Sequence, residues 1–134
     1  MNQLETIAVD GMVLAYLACR QARPTRTRYL TPDECNLQVG HVVYAGGTEI
    51  PRHMHLRVER HLTTTAEVLL VQQGRCEVDI FDPERQLVAT RELHTGDMLI
   101  QVAGGHGFRV LEETVLLEIK QGPYLGDGTD KERF

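Results

Sequence analysis

Short apolar runs with a period of two dominate this chain and leave little room for helices. Val42-Val43-Tyr44, Val68 to Val71, Cys76 to Phe81, Met98 to Val102 and Val115 to Lys120 are each only a few residues long. Turn signals separate them: Gly46-Gly47, Gln73-Gly74, Asp82-Pro83-Glu84-Arg85, Thr95-Gly96-Asp97 and Gly104-Gly105. Short strands at regular spacing with such punctuation predict an all-β sandwich or barrel. The clearest hairpin is Cys76 to Phe81, the Asp82-Pro83 turn, and Leu87 to Arg91. In its first arm Cys76, Val78 and Ile80 alternate with Glu77 and Asp79, the mark of a half-buried antiparallel sheet. Helix is expected only as a single turn at Thr31-Pro32-Asp33-Glu34, with Pro at the first helical position.

Composition narrows the chemistry. The 134 residues contain no Ser, which excludes a serine nucleophile and every Ser-His-Asp arrangement. A net charge of −5 and 5% aromatics argue against a nucleic-acid module, which needs a basic footprint and stacking platforms. Twelve of the fourteen cations are nevertheless Arg. Among these, Arg20, Arg23, Arg26 and Arg28 read either as a solvated loop or as an anion site. Three Cys without C-x-x-C spacing suit a reduced, cytoplasmic protein. The longest apolar run, Met12 to Cys19, is far too short to span a membrane. The run Val9 to Cys19 could instead supply a strand to a neighbouring chain, because antiparallel edges need covering.

Six His residues carry the most specific signal. His53 and His55 in Ile50-Pro51-Arg52-His53-Met54-His55 would share one face of a strand, roughly 6.6 Å apart along it. Two imidazoles so placed can lean onto one ion, with Met54 turned away to pack. Glu67 opens an apolar strand, where a carboxylate is costly unless paired or bound to a cation. His106 lies among Gly104, Gly105 and Gly107, which suggests an imidazole on a tight turn. His41 lies on the Leu37, Val39 and Val43 face and reads as a pocket-wall residue. Gly104-Gly105-His106-Gly107 lacks the Lys and helix of a phosphate cradle.

From Gly47-x5-His53-x-His55, Glu67-x6-Gly74 and Gly96-x5-Val102-Ala103-Gly104-Gly105-His106, the chain resembles the cupin superfamily. It is also similar to small single-domain cupins through Thr65-Ala66-Glu67-Val68-Leu69 and Lys120-Gln121-Gly122-Pro123-Tyr124. The resemblance implies a double-stranded β-helix, a jelly-roll barrel with little helix, covering 1–134 as one domain. Residues 1–36 would form an N-terminal strand and loop, 37–121 the barrel core, and 122–134 an irregular tail anchored by Tyr124 and Phe134. It also implies a divalent transition metal (Zn, Fe, Mn, Ni or Cu) on His53, His55, Glu67 and His106.

Three departures stand out. Eleven residues separate His55 from Glu67 where the family has three or four, Val102 replaces the usual Pro, and His106 comes one position early. Glu59 competes with Glu67 on spacing, and His61 is an alternative ligand. Leu56 to Thr65 would then be an inserted loop over the site.

The functional expectation is a metal-binding cupin acting on a small polar or anionic, conceivably sugar-related, molecule. Arg57, Arg60 and His41 are the substrate-binding candidates. Glu118 is a candidate base if it points inward, although Val115, Leu117 and Ile119 are expected to take the interior. Metal-dependent isomerase, lyase or oxygenase chemistry would all fit. The alternatives are a non-enzymatic small-molecule-binding or sensor cupin, and a metal-free sugar-nucleotide epimerase-like cupin. The expected partners are a small-molecule ligand and a second copy in a homodimer, with neither nucleic acid nor membrane.

Overall fold

The structure is a computed structural model describing residues 4–134. These hold ten strands and no helix: β1 Leu4–Val9, β2 Met12–Ala18, β3 Arg28–Tyr29, β4 Gly40–His41, β5 Glu67–Gln73, β6 Arg75–Phe81, β7 Leu87–His94, β8 Met98–Gln101, β9 Gly105–Val110 and β10 Val115–Lys120. The class is all-β, and every strand pair is antiparallel. A five-stranded sheet runs β1-β2-β8-β5-β10, a three-stranded sheet runs β7-β6-β9, and β3 pairs with β4.

The first hairpin turns on Asp10-Gly11, with φ of 49° and 79°. Two consecutive positive φ values define the tight turn whose twist matches the strands it joins. This turn folds β1 back on β2 and sets β2 between β1 and β8. The run Met12 to Cys19 is therefore an internal strand here, not one offered to a neighbour. Leu14 and Ala15 on it are fully buried.

The alternation of Cys76, Val78 and Ile80 does what the sequence predicts. All three are fully buried and meet Leu14, Leu69, Val71 and Leu99 of the larger sheet. The opposite face of that sheet carries Tyr16, Ala18, Val68 and Ile100, covered by Leu30, Leu37 and Val39. On the outward face of the small sheet, Arg109 bonds Glu77 through Nε at 2.8 Å and Asp79 through Nη1 at 2.6 Å. Such cross-strand pairs suit a wet face: Glu77 lies directly opposite Arg109, and Asp79 is its diagonal neighbour.

An arginine–carboxylate fork ties the two sheets together along one side. There Arg91 of β7 grips Glu5 of β1 through Nε and Nη2, at 2.9 and 2.6 Å. On the other side β9 and β10 are both edge strands, with no further strand paired to them among the described residues.

Several local expectations change. Val42-Val43-Tyr44 forms no strand, and neither does any other part of 42–66. Thr31-Pro32-Asp33-Glu34 makes a turn, closed by Cys35 N–H to Pro32 O at 3.1 Å, because the Thr31 hydroxyl is occupied by Leu37 and Val39 instead of capping a helix. Val115, Leu117 and Ile119 face outward and are exposed, while Leu116 packs on the core. The cause is register: Lys120 lies opposite Glu67, so the polar alternates of β10 must share the inner side with it. The Phe134 ring of the tail is set edge-on to Phe81 at 5.1 Å, while the Tyr124 hydroxyl bonds Asp127 within the tail itself.

Gly104, at φ 67°, brings the chain from β8 into β9 where a Cβ would collide with the Phe81 carbonyl and sit 3.2 Å from Leu14. Gly104→Ala should therefore cost at least about 2 kcal/mol of stability, read from the urea midpoint, since backbone strain and a backbone collision act together. The Arg109 guanidinium and the Thr90 hydroxyl hold the Asp79 carboxyl below its ordinary 3.8. That contribution is complete above pH 3.8 and lost as pH falls through the lowered value. Urea midpoints measured against pH should fall in this acid window for the native chain and more shallowly for Asp79→Asn.

Candidate functional site

Two of the four residues that the resemblance assigns to a metal meet across the sheets. Glu67 opens β5 in the large sheet, and His106 lies within β9 of the small one. His106 Nε2 is 3.3 Å from Glu67 Oε2, with both side chains mostly buried at 23% and 20% exposure. His106 is thus a strand residue, its ring facing inward beside Phe108, and the tight turn belongs to Gly104.

The tautomer of His106 follows from its other neighbour. Gln101, at the end of β8, donates its Nε2 to the Ala103 carbonyl, which leaves its Oε1 facing His106 Nδ1 at 3.3 Å. A carboxamide oxygen can only accept, so Nδ1 carries the proton. The neutral ring then presents a lone pair at Nε2 to a carboxylate oxygen. Two acceptors at this distance need either a proton or a cation between them.

Lys120 and Glu118 of β10 complete the charged surroundings. Lys120 Nζ is 3.8 Å from Glu67 Oε1, 3.4 Å from Glu118 Oε1, and 4.6 Å from the centre of the Tyr124 ring. Burial pulls Lys120 down, but Glu118, Glu67 and Asp130 outweigh it and hold the ammonium above its ordinary value. Burial also pushes His106 below 6.5, against the pull of Glu67 and Glu118 and together with Lys131 and Lys120. The pair accordingly favours a neutral imidazole next to a carboxylate.

The histidine pair lies elsewhere in the chain. His53 and His55 are exposed, 5.6 Å apart between ring centres, and His53 Nδ1 contacts the Pro51 carbonyl at 2.8 Å. Glu59 and His61, the alternatives on spacing, pair with each other at 3.4 Å and are equally exposed. Among the described residues no three His, Cys, Asp or Glu side chains converge within one chain. Residues 56–65 are exposed and do not roof the His106–Glu67 pair. Arg57 and Arg60 are exposed on the same segment.

His41 does line a cleft, of about 150 Å³, but with Arg23, Arg26 and Arg28 rather than with Arg57 and Arg60. Arg20 is withdrawn from that basic group. Its backbone N–H and Nη1 bond the two oxygens of buried Asp97 at 2.8 and 3.2 Å, which bolts the β7–β8 turn to the end of β2.

Sequence reasoning missed Gln101 and Lys120. A signal existed for Lys120, a cation closing an apolar run two residues before Gly122-Pro123; Gln101 offered none. No protein-family model matches the chain, and searches of curated proteins and of solved structures return no match. No helix among the described residues is long and apolar enough to cross a membrane.

In metal-free protein the His106 titration, followed by NMR, should respond with opposite signs to its two charged neighbours. Glu67→Gln removes an upward pull and lowers the His106 pKa further, whereas Lys120→Gln removes a downward one and raises it.

Proposed function

We propose that the chain is a metal-binding cupin of jelly-roll type that acts on a small polar or anionic molecule held between its sheets. The single observation that supports this reading is the His106–Glu67 pair with its Nδ1 proton committed to Gln101. Metal-ligating imidazoles characteristically donate their second nitrogen to an acceptor that fixes the tautomer. His106 Nε2 and Glu67 Oε2 are the donor types that suit Zn, Fe, Mn, Ni or Cu, and His53 and His55 would supply the rest of the set.

A bound divalent ion would polarise a substrate oxygen or acidify a water there. Around it, the chain's own groups have defined tasks. Gln101 orients His106. Lys120 offers an ammonium to an anionic substrate group, and Glu118, held by that ammonium at 3.4 Å, can take up a proton. Phe108 and the Tyr124 ring limit water on the flanks. Isomerase, lyase and oxygenase chemistry all fit this inventory.

A second reading, a metal-free His–carboxylate base of the epimerase kind, draws on the same two residues. It is weaker because burial lowers the proton affinity of His106, which makes the imidazole a poorer base.

Untagged protein expressed with added transition metals should retain close to one equivalent by elemental analysis. Less than about a tenth of an equivalent would overturn the metal reading. Gln101→Leu, which leaves both ligands in place, should weaken metal affinity about 10- to 100-fold.

A further inference from the structure

Residues 45–63 form an arm without a home in their own chain. Its two ends are fastened: Val43 N–H bonds the Thr27 hydroxyl at 3.0 Å, and Asn36 Nδ2 bonds the Thr64 carbonyl at 2.8 Å. Between these points every hydrogen bond and ion pair among the described residues is internal to the arm, namely Thr48 to Ala45, His53 to Pro51, and His61 to Glu59. The segment is polar enough to be a solvated loop, yet its pattern is that of a strand. Met54, Leu56 and Val58 alternate with His53, His55, Arg57 and Glu59. Met54 and Leu56 are 89% and 86% exposed, which is extreme for apolar side chains placed two apart.

The body has the matching vacancies. The backbone edge of β9 is unpaired, and it carries His106. The outward row Val115, Leu117 and Ile119 on edge strand β10 is apolar and uncovered. Charge agrees as well. Three Arg against two Glu leave residues 45–65 at +1, and the rest of the chain at −6.

We propose that two copies of this chain exchange their arms, each arm adding as a strand beside β9 of the partner copy. One face of the exchanged strand then turns His53 and His55 toward the partner's His106 and Glu67. The other turns Met54, Leu56 and Val58 onto the apolar rows of β10 at the seam between copies. A second copy is the fitting occupant because arm and acceptor edge lie on the same chain, so reciprocal exchange closes as a two-fold dimer and leaves no arm over. The site assembled across the copies rests on the metal reading above; the exchange itself does not.

Light scattering on the eluted full-length chain should give twice its 15.1 kDa. A Met54→Asp, Leu56→Asp variant should give the monomer mass and still unfold cooperatively in urea, since the arm supports nothing in its own chain. A monomeric native chain, or a dimer indifferent to the double substitution, would overturn the exchange.

Cobalt(II) then tests whether the site forms in trans. A His53→Ala, His55→Ala chain and a Glu67→Gln, His106→Ala chain should each bind none. Co-expressed, they should recover about a quarter of the native cobalt per chain, because about half the dimers are mixed and each holds one intact site. No recovery beside a cobalt-binding native chain places the site within one chain and sinks the exchange. A native dimer that the arm substitutions dissociate but that takes no cobalt upholds the exchange and removes the metal reading instead.

Discussion

Everything else in this molecule depends on two sheets closing over a few aliphatic side chains on one side while the other side stays open. Leu14 and Leu99 from the large sheet and Val78 and Ile80 from the small one have no exposed surface. Each such side chain contributes roughly 1.5–3 kcal/mol on burial, so this contact decides how the sheets lie. The Glu5–Arg91 fork then seals the β1–β7 side. Charged groups lying between the sheets can keep access to water only at the unsealed β9–β10 side. That is where Glu67, His106, Glu118 and Lys120 are found. The position of the site is thus a consequence of where the core is not.

How legible this was depends on what each residue's neighbours are. Cys76, Val78 and Ile80 could be assigned from sequence because a central strand has partners on both sides and one dry face. The Asp10-Gly11 dipeptide was an equally clear turn signal whose consequence, an internal β2, needed only to be drawn. β10 misled for a physical reason. In Val115-Leu116-Leu117-Glu118-Ile119-Lys120 both faces carry apolar residues, and alternation alone chooses the face with three of them. Register chooses the other, since Lys120 opposite Glu67 gives a mostly buried carboxylate an ammonium beside it.

The site was half legible on similar grounds. Glu67 at the head of an apolar strand and His106 among glycines announce themselves by being costly or unusual where they stand. Gln101 does not, because its role comes from a rotamer chosen by the Ala103 carbonyl, and no pattern in the chain encodes that. His53 and His55 were read as strand residues. Within a single chain they are not, because a strand is defined by its partner, and the arm is fastened at its ends by the Thr27 and Asn36 side chains and not by a paired strand. Periodicity can state that a segment is fit to pair without stating with what.

If that partner is a second copy, assembly and ligand binding become one equilibrium. An ion gripped by His53 and His55 of one chain and by Glu67 and His106 of the other binds the dimer and not the monomer. It must then strengthen the dimer in proportion to its occupancy, and dilution must weaken its own affinity. The arm's apolar row supplies an ion-independent share of the same association, because Met54, Leu56 and Val58 gain by burial whether or not metal is present. The long spacer between His55 and Glu67 acquires a purpose in this arrangement. A spacer of three or four residues would hold both within one sheet of one chain, whereas eleven residues, all but Ala66 exposed, are enough to carry the histidines across to a neighbour.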